Sequence, residues 1–197
     1  MNVGILVFDE VEVLDLGGPF EVFSVASRVA PRYLGFAGPP FQVFMVARSL
    51  EPVAARGGFQ VVPRYTMESH PAIDVLIVPG GVVTQPFEHA QTIAWIARQS
   101  TQARLTASVC TGAFLLAKAG LLEGKTATTH WEDADDLQTQ FPTLFVKRQV
   151  SWVDEGRVVT SAGISAGIDM SLHLVERLTG RELAEATARQ MEYRWQG

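Results

Sequence analysis

The chain's only cysteine, Cys110, sits where the hydrophobic period changes, inside the run RLTASVCTGAFLLAKAGLL at residues 104–122. Before it, Leu105, Ala107 and Val109 alternate with small polar residues, the pattern of a buried strand. After it, Phe114, Leu115, Leu116, Ala117 and Ala119 form an apolar helical run that leaves Lys118 outside. Ser108, Thr111, Gly112 and Ala113 keep the junction small, as a sharp and strained strand-to-helix turn requires. Such a turn lifts its central side chain at the carboxyl end of a sheet, the arrangement of a nucleophile elbow with sulfur in place of oxygen. The helix that follows directs its N–H groups and positive dipole end at the sulfur, which predicts thiolate over thiol. The alternative is a buried structural cysteine, a common fate for a free thiol.

A catalytic thiol also needs a group that moves protons and donors for developing negative charge. Thr111, not histidine, follows Cys110, so the adjacent Cys-His pair that would protonate an amine leaving group is missing. The expected proton carrier is a carboxyl of the first loop, Asp15 or Glu21, raised in pKa by half-burial near the sulfur. An N-cap, first-turn or solvated position is the structural alternative for each. Gly80 and Gly81 follow an aliphatic run directly, so the backbone there bends sharply or something approaches it closely. The N–H groups of Gly81, Val82 and Thr111 are expected to form an anion-binding hollow. The histidines (His70, His89, His130, His173) are scattered without metal-ligand spacing. His130, in Thr128-Thr129-His130-Trp131, is the one expected to line a pocket, with Trp131 as an apolar wall. No Walker or dinucleotide glycine loop occurs, so neither a nucleotide cofactor nor a metal is implied.

The elements that must position these groups follow from the hydrophobic pattern. Residues 3–8, 41–47 and 73–78 read as strands, and 105–109 leads into Cys110. An acidic loop with Asp9, Glu10, Glu12 and Asp15 precedes a helix entered at Pro19 and running to residue 30. A small hairpin is expected from residues 51–55 and 60–62 around Arg56-Gly57-Gly58. A helix over 88–99 would face inward with Ile93, Ala94, Ile96 and Ala97. Residues 126–129 suggest a short strand, 132–140 a short helix, and 146–153 with 158–160 a second hairpin. Helices over 166–178 and 182–194 close the chain. Alternating aliphatic strands and helices predict an α/β domain, 1–197, with a doubly wound, mostly parallel sheet covered on both faces. Residues 9–18, Gly80-Gly81 and Cys110-Thr111 would then converge at the carboxyl ends of its strands.

At 197 residues, with 47% hydrophobic and 19% charged residues, the chain has material for one sizeable core. A net charge of −5 argues against a broad nucleic-acid surface and against attraction to anionic lipid. One cysteine excludes an internal disulfide framework and fits a reducing compartment. MNVGILVFDE is expected to be a first strand and not a signal peptide, and no apolar run approaches membrane-spanning length. A cytoplasmic protein acting on a small molecule is expected.

Four stretches together, VFDEVEVLDLGGPFEVF, VPGG, SVCTGAFLLAKAGLLEGKTATTHW and VVTSAGISAGIDMSLHLVE, resemble the ThiJ/PfpI superfamily over residues 3–192. The Cys-Thr-Gly elbow, Leu-Asp-Leu-x-Gly-Pro and Thr-Thr-His-Trp are most similar to isonitrile hydratase and to the sensor domains of AraC-type regulators. The resemblance implies a flavodoxin-like fold, no cofactor, and hydration of an isocyanide to an N-substituted formamide. It implies attack by a Cys110 thiolate, proton handling and water positioning by Asp15, and assistance from Thr111. It also implies a homodimer with the site near its interface. Val82-Val83-Thr84 departs from the small residues expected after Gly81, which bears on pocket shape. Two other functions stay open: a ligand- or redox-sensing domain, and a glyoxalase- or deglycase-like thiol enzyme, for which Glu21 would be the essential acid.

Overall fold

A computed structural model describes residues 1–195; the expected domain extends to residue 197, and the last two residues lie outside the described ones. The elements are β1 (Asn2–Leu6), α1 (Val13–Tyr33), β2 (Gln42–Ala47), β3 (Val53–Ala54), β4 (Gln60–Val61), β5 (Tyr65–Thr66) and β6 (Val75–Val78). There follow α2 (Thr84–Glu88), α3 (Ala90–Gln102), β7 (Leu105–Val109), α4 (Gly112–Lys118), β8 (Thr126–Ala127), α5 (Ala134–Gln140) and β9 (Phe145–Val146). The last are β10 (Trp152–Asp154), β11 (Val158–Ser161), α6 (Ala166–Thr179) and α7 (Arg181–Gln190).

Seven strands form one sheet in the order β10-β11-β7-β6-β1-β2-β5. All pairs are parallel except β10 with β11. Every residue of β6 and β7 is buried, which is why both read as unbroken small or aliphatic runs. Helices α1, α6 and α7 pack against one another, and α2, α3 and α4 form a second group. This is the expected flavodoxin-like, doubly wound α/β architecture. The chain runs from β1 to β2 on one side and returns to β6 on the other, so strand order reverses between β1 and β6. Ligand crevices of such sheets open at the carboxyl ends beside that reversal.

Several local expectations change. Helix α1 begins at Val13, six residues before Pro19, and carries both Pro19 and Pro31 inside it. Proline cannot donate to the carbonyl four residues back, so Pro19 breaks the ladder locally without ending the helix. Burial outweighs that loss: Leu16, Val22, Phe23, Val25, Ala26 and Val29 all lie in the core. Asp15 therefore belongs to a helix's first turn and not to a loop. The expected helix over 88–99 divides into α2 and α3 at His89, whose Nδ1 accepts the Thr92 N–H at 3.3 Å. Its buried face is Thr92, Trp95, Ile96 and Gln99, leaving Ala94 outside. Residues 146–153 do not form one strand: β9 pairs with β8, and only β10 joins the hairpin with β11. The small antiparallel hairpin β3–β4 forms as expected around a short helical turn, Arg56–Gly58.

Gly112 shows how tightly the elbow is seated. A methyl group there would collide with the Val78 carbonyl oxygen and lie 2.9 Å from that of Pro79. Both obstacles are backbone, so nothing swings aside. Gly112→Ala should cost about 2 kcal/mol or more, read as a lower urea midpoint with unchanged slope.

Candidate active site

The elbow is real in the backbone. Cys110 has φ 57°, in the left-handed region that a non-glycine residue enters only when its surroundings hold it there. Three bonds supply that hold. The Cys110 N–H donates to the Ser161 carbonyl at 3.2 Å, and the Cys110 carbonyl accepts from Ala113 N–H at 3.3 Å and from Thr129 Oγ1 at 2.9 Å. Cys110 is 6% exposed.

Asp15 comes to the same place from α1 and is fully buried. Its Oδ2 accepts the Gly80 N–H at 3.0 Å. Its Oδ1 has no partner at ordinary hydrogen-bond geometry, although the Cys110 thiol lies close enough to influence the carboxyl. Burial raises the Asp15 pKa to about 7; the Gly80 N–H opposes this, the Glu12 charge adds to it, and the thiol opposes it. Burial, then the Asp15 charge, push the Cys110 thiol up to about 12 against two opposing contacts from Thr111, and the Asp133 charge adds to the rise. The expected thiolate is thus not the resting form. A helix of only seven residues stands behind the sulfur, and desolvation with two carboxylates outweighs its end.

Thr111 locks the elbow to the glycine loop. Its Oγ1 accepts the Gly81 N–H and donates to the Gly81 carbonyl, each at 2.9 Å. The Val82 N–H donates to the Glu10 carbonyl at 3.0 Å, beside an antiparallel bridge between Val11 and Gly81. The expected hollow of Gly81, Val82 and Thr111 N–H groups is therefore not open at rest. Loop pairing has taken the first two, and the Thr111 N–H faces the sulfur. Gly81 itself has φ 127°, and a methyl group there would strike the Glu10 carbonyl. Glu21 is absent from the cluster: its carboxylate meets Arg28 at 3.2 Å on the surface.

Of the histidines, only His130 reaches the site. His70 Nε2 accepts from Trp95 Nε1, His89 caps α3, and His173 pairs with Asp154. A methyl group on Gly163, a residue the sequence reading did not single out, would strike His130 Cδ2 and lie 3.1 Å from Cys110 Sγ. Its one sequence signal is its place just past a buried strand. Trp131 does not wall a closed cavity, being 77% exposed beside the His130 ring. A recess of about 480 Å³ is lined by Gly81, Val82, Thr111, Phe114 and Asp133 among others. A larger one of about 570 Å³, bounded by Arg48, Trp95 and Arg98, contains none of these candidate residues. Among the described residues no three His, Cys, Asp or Glu side chains gather as metal ligands. None of the described helices is long and apolar enough to cross a membrane.

The buried carboxyl has a stability signature. Its folded pKa lies above the unfolded value, so its contribution is fully present below about pH 4 and is lost as pH rises through about 7. The shift corresponds to a loss on the order of 4 kcal/mol. Asp15→Asn, which imitates the neutral carboxyl, should match the native protein in urea melts near pH 4 and exceed its stability at pH 8.

The DJ-1/PfpI family model matches residues 1–177. Isonitrile hydratase of Pseudomonas putida is 40% identical over 98% of this chain and 78% of its own length. The HTH-type transcriptional regulator GbdR of Pseudomonas aeruginosa is 31% identical over 98% of this chain, which spans half of that protein. Among solved structures, a ThiJ/PfpI family protein from Pseudomonas syringae superposes with a TM-score of 0.85 at 31% identity, covering 98% of this chain and 74% of that one. Drosophila melanogaster DJ-1beta shares the fold, with a TM-score of 0.81 at 18% identity over 98% of each chain. With the family model spanning nearly the whole chain, this protein belongs to the DJ-1/PfpI family.

Proposed function

We propose that this protein hydrates an isocyanide to an N-substituted formamide, acting as a single domain within a cytoplasmic homodimer. The observation that carries the reading is the fully buried Asp15 carboxyl, with one oxygen unpartnered, set beside the thiol of a strained elbow. Similarity to isonitrile hydratase along the whole chain supports it.

The chemistry fits the resting protonation states. The terminal carbon of an isocyanide accepts both a nucleophile and a proton. Above about pH 7 Asp15 is a carboxylate and Cys110 a thiol, so sulfur attack proceeds as its proton passes to Asp15. Asp15 then protonates the same carbon, giving a thioimidate, R–N=CH–S, on Cys110. Water adds to that carbon, the C–S bond breaks, and R–NH–CHO leaves with the thiol restored. One isocyanide and one water are consumed. No amine is expelled, consistent with the missing histidine after Cys110.

Leu14, Val82, Trp131 and Ile164 are all exposed, and each adjoins a site residue in sequence: Asp15, Gly81, His130 and Gly163. Exposed apolar residues at these positions suit an uncharged organic substituent. The homodimer is supported by a second exposed set, Leu50, Phe59 and Val62, around the β3–β4 hairpin. Sensing without turnover is the second reading, favoured by a thiol held near 12 and by the regulator relatives. Glu21 at the surface weighs against a glutamate-dependent carbonyl chemistry.

Formamide production from a small aliphatic isocyanide tests the assignment. Native protein should turn over, with kcat/KM rising through about pH 7; Cys110→Ala and Asp15→Asn should each lose at least 10²-fold. An inactive native protein that still binds isocyanide would leave the sensing reading. Sedimentation velocity should give a dimer that Phe59→Glu dissociates.

A further inference from the structure

Strand β7 lies between β6 and β11, so the sulfur has two flanks. Asp15 approaches from the β6 flank, bonded to Gly80. His130 approaches from the β11 flank, packed with the sulfur against Gly163. The segment before His130 is fixed twice: Thr128 N–H donates to Thr160 Oγ1 at 2.9 Å, and Thr129 Oγ1 to the Cys110 carbonyl at 2.9 Å. The imidazole atoms nearest Gly163 are Cδ2 and Cγ, and Cδ2 is bonded to Nε2. The opposite nitrogen, Nδ1, lies 3.3 Å from Asp133 Oδ2, with Glu132 farther off at 3.8 Å.

Asp133 is placed for this contact at the expense of its usual one. It occupies the N-cap of α5, where an aspartate ordinarily accepts a backbone N–H, yet its side chain makes no cap bond. The turn Trp131–Asp133, closed by Asp133 N–H to the His130 carbonyl at 3.1 Å, carries the carboxylate to the ring instead. With the Asp133 carboxylate 3.3 Å from Nδ1, a proton on that nitrogen is the electrostatically favoured arrangement, and it leaves Nε2 to act as a base.

We infer that His130 is the base that activates water in the second half of the reaction, and that Asp133 is the residue that positions it. For its substrate the inference rests on the hydratase reading above. Asp15 serves the first half and the final return of a proton to the sulfur. In the second, His130 Nε2 takes a proton from water as the oxygen bonds to the thioimidate carbon, and the imidazolium returns that proton to the substrate nitrogen. The C–S bond then breaks with its electron pair going to sulfur. The hydroxyl proton passes through Asp15 to the sulfur, and formamide and thiol are released. Two proton carriers on opposite flanks let the attacking sulfur and the attacking water be served without either group crossing the site.

Intact-mass spectrometry during turnover distinguishes the halves. His130→Gln should keep the first half and lose the second, so kcat falls by about 10²-fold while Cys110 accumulates an adduct of the isocyanide's mass. Asp133→Asn should show the same adduct with a loss of about 10-fold, and Asp133→Glu should recover part of it. Asp15→Asn should show no adduct. His130→Gln that turns over normally, or that loses turnover without an adduct, overturns the inference while leaving the hydratase reading intact. If native protein makes no formamide, that reading falls and the ring itself decides. Nitrogen-15 NMR should show His130 protonated at Nδ1 and bare at Nε2, a tautomer weakened in Asp133→Asn. A native ring protonated at Nε2 overturns the inference.

Discussion

Burying the Asp15 carboxyl is the constraint on which the site depends. Both oxygens are out of water and only one is hydrogen-bonded, so the group holds its proton to about pH 7 and opposes ionisation of Cys110. An exposed aspartate would lose its proton three pH units earlier and would neither store nor return one near neutrality. The burial comes from α1, which places Asp15 in its first turn and packs Gly18 so close to α6 that a methyl group there would lie 3.0 Å from the Ile168 side chain. A long helix anchored in the core therefore holds an unfavourable group in its buried first turn. Functional sites commonly concentrate such cost.

Contacts without side chains hold the rest of the site. Gly80 and Gly112 bring the end of β6 against the elbow, and Gly81 meets the first loop at Glu10 and Glu12. Each leaves room only for hydrogen. The reciprocal bonds of Thr111 with Gly81 then close the elbow onto the loop. These approaches explain why the loop's N–H groups are already paired. They stiffen the scaffold and leave the Thr111 N–H facing the sulfur.

The fold was largely legible in the residues. Residues 3–8 and β6 are aliphatic runs without a polar face, β7 alternates apolar residues with small polar ones, and the alternation of such strands with helices specifies a parallel sheet. Cys110 between a strand pattern and a helix pattern, with glycine and small residues around it, marked the elbow without help from the fold. Misreadings fell where local signals opposed tertiary packing. Leu-Gly-Gly-Pro after four acids reads as a helix entry, but the buried stripe from Leu16 to Val29 carries the helix through Pro19 and back to Val13. Ala94 and Trp95 exchange places because the helix rotates to bury the larger surface.

The sequence by itself determined the strand–helix order, the elbow and the identity of the thiol, since periodicity and residue size are local properties. Residue pattern alone left both Asp15 and Glu21 open, with the family resemblance favouring Asp15, because a carboxylate's distance from a thiol nearly a hundred residues away is not written in its neighbours. Tertiary structure separated them, burying one beside the sulfur and pairing the other with Arg28. It also decided the protonation of the site. Dipole arguments follow one helix and point to a thiolate; desolvation depends on every element packed around the sulfur, and here it is the larger effect. The meeting of Gly163, His130 and Cys110 belongs to the same class, because parallel strands bring together residues that are far apart in the chain.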